Sequence, residues 1–254
     1  MPTNSKWFAY GMTHEQADLN LLLFPFAGGC PSVFVQWKRL LSAKVNVYPV
    51  LYPFREARRS EQLPDTVQQL AQSLAAENEA VFSGKYAIFA HCAGASVAYE
   101  TILAAKQLYG TEPEWLIVSG AEPPEYSLES LRYLADASPA EFLNYLISGG
   151  FAEESVRDNP AFLSYYLPII SADFRMLFSY RMTAAPPLHC PIFRFRGDTD
   201  KVIDPARLAA WQHYTEGTCT EQVFSGGHYY FTADPAPVCS SINRILEQGG
   251  NANG

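Results

Sequence analysis

The chain has 254 residues, 48% of them hydrophobic, enough for the buried core of one larger α/β domain or two small ones. Its formal charge of -8 disfavours a nucleic-acid partner, because a phosphate-binding face needs a cationic surplus. No basic stretch leads into an apolar one at the N-terminus and no run of about 18 apolar residues occurs, so neither export nor a membrane span is expected and the default location is the cytoplasm.

Short apolar, β-branched or aromatic runs alternate with amphipathic stretches, the pattern of a mostly parallel sheet with helices on both faces. In chain order the spacing predicts strands over 19–26 and 45–52, a helical stretch over 63–82, a strand over 85–91, a helix over 95–108 and a strand over 114–121. Between 125 and 187 the rhythm breaks. Only helix-like pieces occur there, "LESLRYLADA", "SPAEFLNYLISGG" and "NPAFLSYYLPIISADFRMLFSYRM", and an insertion of this length between strands predicts a helical lid within one domain spanning 1–254. A strand over 190–197, a helix over 204–215, a strand over 220–227 and a helix over 235–248 follow, and the tail "EQGGNANG" reads as disordered.

Five cysteines at wide, irregular spacing, with no C-x-x-C pair, argue against a disulfide scaffold and a zinc site, and no residue set reads as a metal or nucleotide site. One of them, Cys92, stands where "YAIFAHCAGASVAYE" passes from strand to helix. A-H-C-A-G matches the nucleophile elbow G-x-S-x-G, with Ala90 and Gly94 at the two small positions and the following helix aiming its N-terminal amides at the sulfur, which favours the thiolate. A small buried hydrophobe is the plain alternative for an isolated cysteine.

A nucleophile needs a base and the base needs an orienting group. His228 follows the last predicted strand in the glycine-bracketed "FSGGHYYF", with a structural histidine as the alternative. Asp198 and Asp200 lie just past the preceding strand in "RFRGDTDKV"; Asp200, carried further toward His228, is favoured as the acid and Asp198 as a turn cap. The order nucleophile, acid, histidine is that of the α/β-hydrolase fold. For the oxyanion hole, one amide belongs to Ala93, after the nucleophile, and the other to the loop "FPFAGGCPS", where Ala27 is favoured over Phe26.

With these residues assembled, the chain resembles the type II thioesterases, the free-standing editing enzymes of polyketide and nonribosomal peptide assembly lines. The matching stretches are "LLLFPFAGG", "LYPFREARR", "YAIFAHCAGASVAYE", "LPIISADFRMLFSY", "CPIFRFRGDTDKV" and "FSGGHYYF". The resemblance implies hydrolysis of acyl groups held as thioesters on the phosphopantetheine of an acyl or peptidyl carrier protein, with no further cofactor. It also marks departures: Cys92 stands at the family's serine, Ala90 and Phe54 at glycines, Phe26 at a histidine and Ser171 at an arginine. Phe26 and Phe54 are therefore expected to reshape the acyl pocket. Carriers are usually acidic, and Arg55, Arg58 and Arg59 in "FREARRS" are the candidate contact, a solvated face being the alternative.

A cysteine in this place leaves the final acceptor open. The acyl group moves from one thioester to another at nearly equal energy, so the same residues would serve hydrolysis, transfer to a second carrier thiol, or transfer to an amine. A catalytically silent binding protein on the same fold is the reading from a different class.

Overall fold

The computed structural model describes residues 5–126, 134 and 136–250. Six strands form one sheet: β1 (Leu19–Phe24), β2 (Val45–Pro49), β3 (Tyr86–His91), β4 (Leu116–Ser119), β5 (Ile192–Gly197) and β6 (Cys219–Phe224). Their order is β2-β1-β3-β4-β5-β6 and every neighbouring pair is parallel. All six coincide with strands expected from the sequence; the central ones, covered on both faces, read as continuous apolar runs. Every residue of β3 and of β4 is buried.

Alternation along the strands splits the core into two layers. Leu22, Phe24, Ile88, Ala90, Leu116 and Val118 face one side, with Leu70, Leu74, Val97 and Ile102 from the helices α1 (Val67–Ala76) and α3 (Gly94–Tyr109). Leu21, Leu23, Ala87, Phe89 and Ile117 face the other, against Trp37, Phe231, Val238 and Ile242, the last two from α8 (Ala236–Gly250). The helix expected over 63–82 breaks at Asn78 into α1 and α2 (Glu79–Phe82), the Asn78 amide donating back to the Leu74 carbonyl at 2.7 Å. Likewise 204–215 divides into α6 (Pro205–Leu208), capped by Asp204, and a 3₁₀ segment over Ala209–Tyr214. α8 continues through 247–250, which corrects the expectation of disorder there; 251–254 lie outside the described residues. α7 (Tyr230–Ala233) is a single turn.

Strand β2 would leave an open edge, and the N-terminal segment covers it. Met12 and Val47 exchange backbone hydrogen bonds at 3.0 and 2.7 Å, and the Leu51 amide donates to Trp7 O at 2.7 Å. No described helix is long and apolar enough to cross a membrane.

Between β4 and β5 the described part of the insertion holds α4 (Pro139–Ser148) and α5 (Leu167–Phe178). Ser138 and Glu141 form a reciprocal capping box at the start of α4. A π-turn over Phe162–Tyr166 precedes α5, next to Pro168, which has no N–H to continue a regular ladder. Phe142, Leu143, Leu146, Leu167, Phe174 and Phe178 make a small core of their own, against which Ala27 of the loop after β1 also packs. The expected piece over 128–137 is described only at 134, 136 and 137.

The chain runs from β1 outward to β2, then returns to place β3 on the other side of β1. Loops leaving β1 and β3 at their carboxyl ends therefore diverge, and such a switch point is where open α/β sheets form a crevice.

Candidate active site

Cys92 occupies this crevice. It has φ 51°, a left-handed conformation disfavoured for a residue with a Cβ, and its N–H donates to Ser119 O at 2.9 Å. Strand β3 thus turns sharply into α3, the strained geometry of a nucleophile elbow. Gly94 makes the turn possible: a Cβ there would lie 2.6 Å from Pro25 O and 2.8 Å from Phe24 O. The start of α3 is consequently pressed against the loop leaving β1, which brings Ala27 and Cys92 to the wall of one small cavity.

A cavity of about 20 Å³ lies between Cys92 and Ala27, with Ile170, Phe174 and Tyr229 in its wall. That is room for one water-sized oxygen. The Gly29 N–H donates to Phe26 O at 2.8 Å, so the Phe26 carbonyl faces into the turn and the Ala27 N–H, antiparallel to it across a trans peptide, faces out of it. Phe26 therefore holds the turn with its carbonyl. On Cys92's other side a cavity of about 430 Å³ runs under the insertion, lined by Tyr126, Tyr145, Phe151, Phe174 and Tyr180 with Glu122, Lys201 and Arg207.

His228 Nδ1 lies 2.9 Å from Asp200 Oδ2, and both side chains are buried. The other oxygen of Asp200 accepts the Val202 N–H at 2.9 Å, which fixes the carboxylate's plane. Asp198 does something else: its Oδ1 accepts the Gly226 N–H at 2.8 Å and so ties down the loop that carries His228. Burial works against a charged His228 ring, but negative charge on Cys92 and the Asp200 contact outweigh it and push the pKa up to about 9. His228 Nε2 is buried and makes no aligned hydrogen bond, leaving that nitrogen open toward the sulfur whose charge acts on it.

Several neighbours were not singled out from the sequence. His91 is fully buried, its Nδ1 2.9 Å from Ser119 Oγ, which in turn lies 2.6 Å from the Tyr230 hydroxyl. Burial and the nearby His228 hold its pKa well below the ordinary histidine range, so it stays neutral 4.8 Å, ring to ring, from His228. His91 was visible inside A-H-C-A-G; nothing local marked Ser119 or Tyr230.

Phe26 and Phe54 line neither cavity: the Phe26 ring packs on Tyr229 and His91 at 4.8 and 5.8 Å, while Phe54, at φ 67°, lies under the Arg59 guanidinium at 4.4 Å. A left-handed φ at position 54 is a backbone reason for the family's glycine. The basic cluster is not an exposed patch either. Arg55 is fully buried against Asp173, Arg58 is buried against Glu61, Leu51 O and the Trp7 ring, and half-buried Arg59 donates to Phe54 O. The Arg55 and Arg58 guanidinium groups, buried on internal acceptors, are out of reach of an incoming acidic surface.

A parallel sheet whose central strand ends in a strained cysteine beside a buried histidine–aspartate pair defines an enzyme of the α/β-hydrolase class. The chain belongs to the thioesterase domain family, whose model matches residues 20–246. It is 30% identical to the thioesterase PikA5 of Streptomyces venezuelae over 90% of this chain and 81% of that protein. It is 28% identical to the gramicidin S biosynthesis protein GrsT of Aneurinibacillus migulanus, over 89% of this chain and 88% of the other. The structure of BorB, a type II thioesterase from the borrelidin biosynthetic cluster, superposes with a TM-score of 0.82 at 29% identity, covering 94% of this chain and 97% of that one.

Proposed function

We propose that this protein is a type II thioesterase that releases acyl or aminoacyl groups from the phosphopantetheine of a carrier protein through an acyl-S-Cys92 intermediate. The strained Cys92 beside both the one-oxygen cavity and the His228–Asp200 pair carries this reading. Cys92 Sγ attacks the thioester carbonyl, the carbonyl oxygen becomes an oxyanion held by the Ala27 and Ala93 amides, and the carbon–sulfur bond to pantetheine breaks. His228 carries the cysteine's proton and passes it to the departing pantetheine sulfur. Water then enters, His228 takes its proton, and hydroxide attack on the acyl-cysteine yields the free acid and restores the thiol. Each step uses the chain's own side chains and amides, and the aromatic cavity under the insertion would take the acyl chain, with α4 and α5 acting as its lid.

Because the intermediate is itself a thioester, transfer to a second carrier thiol is the competing outcome. Incubation with acyl-loaded carrier separates the two: free acid at a catalytic rate, with a transient mass adduct on Cys92, is the expected result. Rapid label on a second carrier with little free acid would overturn hydrolysis in favour of transfer. No adduct at all would overturn both and leave a binding protein.

The loop carrying His228 supplies a second test. A Cβ on Gly197 would fall 2.2 Å from Gly226 O and 2.3 Å from Gly227 O, both backbone atoms that cannot swing aside. Gly197→Ala should displace His228 and lower kcat by about 10²-fold, the scale of an ångström's misplacement. A folded variant with wild-type kcat would contradict His228's role.

A further inference from the structure

The buried ion pair formed by Arg55 and Asp173 is where the insertion meets the oxyanion loop. Asp173 projects from α5, and its Oδ2 accepts both Arg55 Nη1 at 2.9 Å and the Gly28 N–H at 2.7 Å, while Oδ1 accepts Arg55 Nη2 at 2.5 Å. Arg55 Nη1 also donates to Gly29 O at 2.9 Å, and its Nε donates to Pro53 O at 3.3 Å. The arginine is fully buried and the aspartate 3% exposed. One carboxylate and one guanidinium therefore pin the two glycines that follow Ala27, and the anchor of that pin sits on the insertion.

Glycines are the residues least able to hold a peptide plane by themselves. The Gly28 N–H shares its peptide unit with Ala27's carbonyl, so holding it on Asp173 sets the rotation on the C-terminal side of Ala27, and the bond from Arg55 to Gly29 O holds the far end of the turn. Gly28 has φ 75°, and a Cβ there would be 2.1 Å from Ile170 Cγ1, so α5 lies directly on the loop. The Ala27 N–H itself belongs to the preceding peptide, whose carbonyl accepts the Gly29 N–H, so Asp173 and Arg55 act on it by holding Gly28 N–H and Gly29 O, and with them the whole turn, against α5.

We propose that Asp173, held by Arg55, is a positioning residue that aims the Ala27 amide at the oxyanion, so that the oxyanion hole is complete only while α5 of the insertion is seated. This rests on the thioesterase reading above and adds to it a coupling between lid and chemistry. An ion pair kept for packing alone has a simpler substitute, since a buried pair replaced by apolar residues of similar volume commonly leaves stability unchanged or raised. The Gly28 N–H would then lose its acceptor.

Two reactions of the same sulfur test this. Acylation by S-acetylpantetheine passes through an oxyanion, whereas alkylation by iodoacetamide displaces iodide at a saturated carbon and needs no oxyanion hole. In Asp173→Asn, and in the double variant Arg55→Met with Asp173→Leu, acylation of Cys92 followed by intact mass should slow by about 10²-fold, the scale of losing one oxyanion donor, while alkylation keeps its wild-type rate. The double variant guards against a folding defect from an unpaired buried charge. Wild-type acylation in the double variant, or an equal loss of both reactions in the two variants, would overturn the coupling while leaving the thioesterase reading in place. Wild-type protein that takes no acyl group at all would overturn that reading and this inference with it.

Discussion

Cys92→Ala should abolish turnover of an acyl-pantetheine thioester, with kcat falling on the order of 10⁶-fold, as when the nucleophile of such a unit is removed. The expectation follows from the geometry. Among the described cysteines, Cys92 alone stands at the strained turn, borders both cavities and acts by its charge on His228. The other described cysteines make poor substitutes: burial pushes the Cys30 thiol up to about 11 and those of Cys190 and Cys239 up to about 12, so they stay protonated and unreactive near neutral pH. Measured with S-acetylpantetheine, the wild type should give one acyl adduct, mapped to Cys92 by peptide mass, and the alanine variant none. A variant that still acylates and still turns over would remove Cys92 from the chemistry altogether. The cavities do not depend on the sulfur, so substrate should still bind; equilibrium dialysis of the alanine variant with a labelled acyl-pantetheine would then show undiminished binding. Loss of binding together with turnover would mean that the substitution had collapsed the elbow.

Much of this site was legible because its parts sit at strand ends, where short apolar runs stop and polar or glycine-rich loops begin. Cys92, Asp200 and His228 each follow a run that the structure confirms as a strand, so their convergence at one edge of the sheet followed from parallel topology alone. The cluster of arginines misled for the opposite reason. Charged residues near one another in sequence read as a solvated face, and the partner that buries Arg55 lies 118 positions away on α5. The trace was present in the sequence without a way to join its halves: "LYPFREARR" and "LPIISADFRMLFSY" both matched the family, one carrying the cation and the other the anion. Phe54 was read by its side chain, and the structure adds a backbone property, a left-handed φ. A family glycine marks space or a left-handed φ, and only coordinates tell which. The apolar stretch after Pro49 shows a third limit. Val50, Leu51 and Tyr52 are buried, yet β2 ends at Pro49; periodicity registered their burial, and the departure of the chain from the sheet left no mark on it.

Asp200→Asn is the second substitution from which a large effect follows, a fall in kcat on the order of 10⁴-fold with the fold intact. The carboxylate is buried, bonded to His228 Nδ1 at 2.9 Å and held in plane by the Val202 N–H. It keeps the His228 proton on Nδ1 when the ring is neutral, which leaves Nε2 free to accept, and it stabilises the imidazolium when the ring is charged. An amide in its place is free to offer its NH₂ group to Nδ1 and hold the wrong tautomer. The pH dependence separates orientation from charge. In the wild type the imidazolium beside the Cys92 sulfur persists until the pH rises through about 9, so acylation, which uses that proton, should hold across neutral pH and decline above it. Removing Asp200 deletes a contribution that raises the His228 pKa while the burial that lowers it remains, so the alkaline limb should move to lower pH. Ring titration of His228 by NMR, run beside the pH profile of acylation, checks both at once. An asparagine variant with the wild-type midpoint and a wild-type rate would show that Asp200 is a structural neighbour of His228. A shifted midpoint with an unchanged rate at neutral pH would show that the charge of Asp200 tunes the ring and that the sulfur of Cys92 needs no help from its orientation.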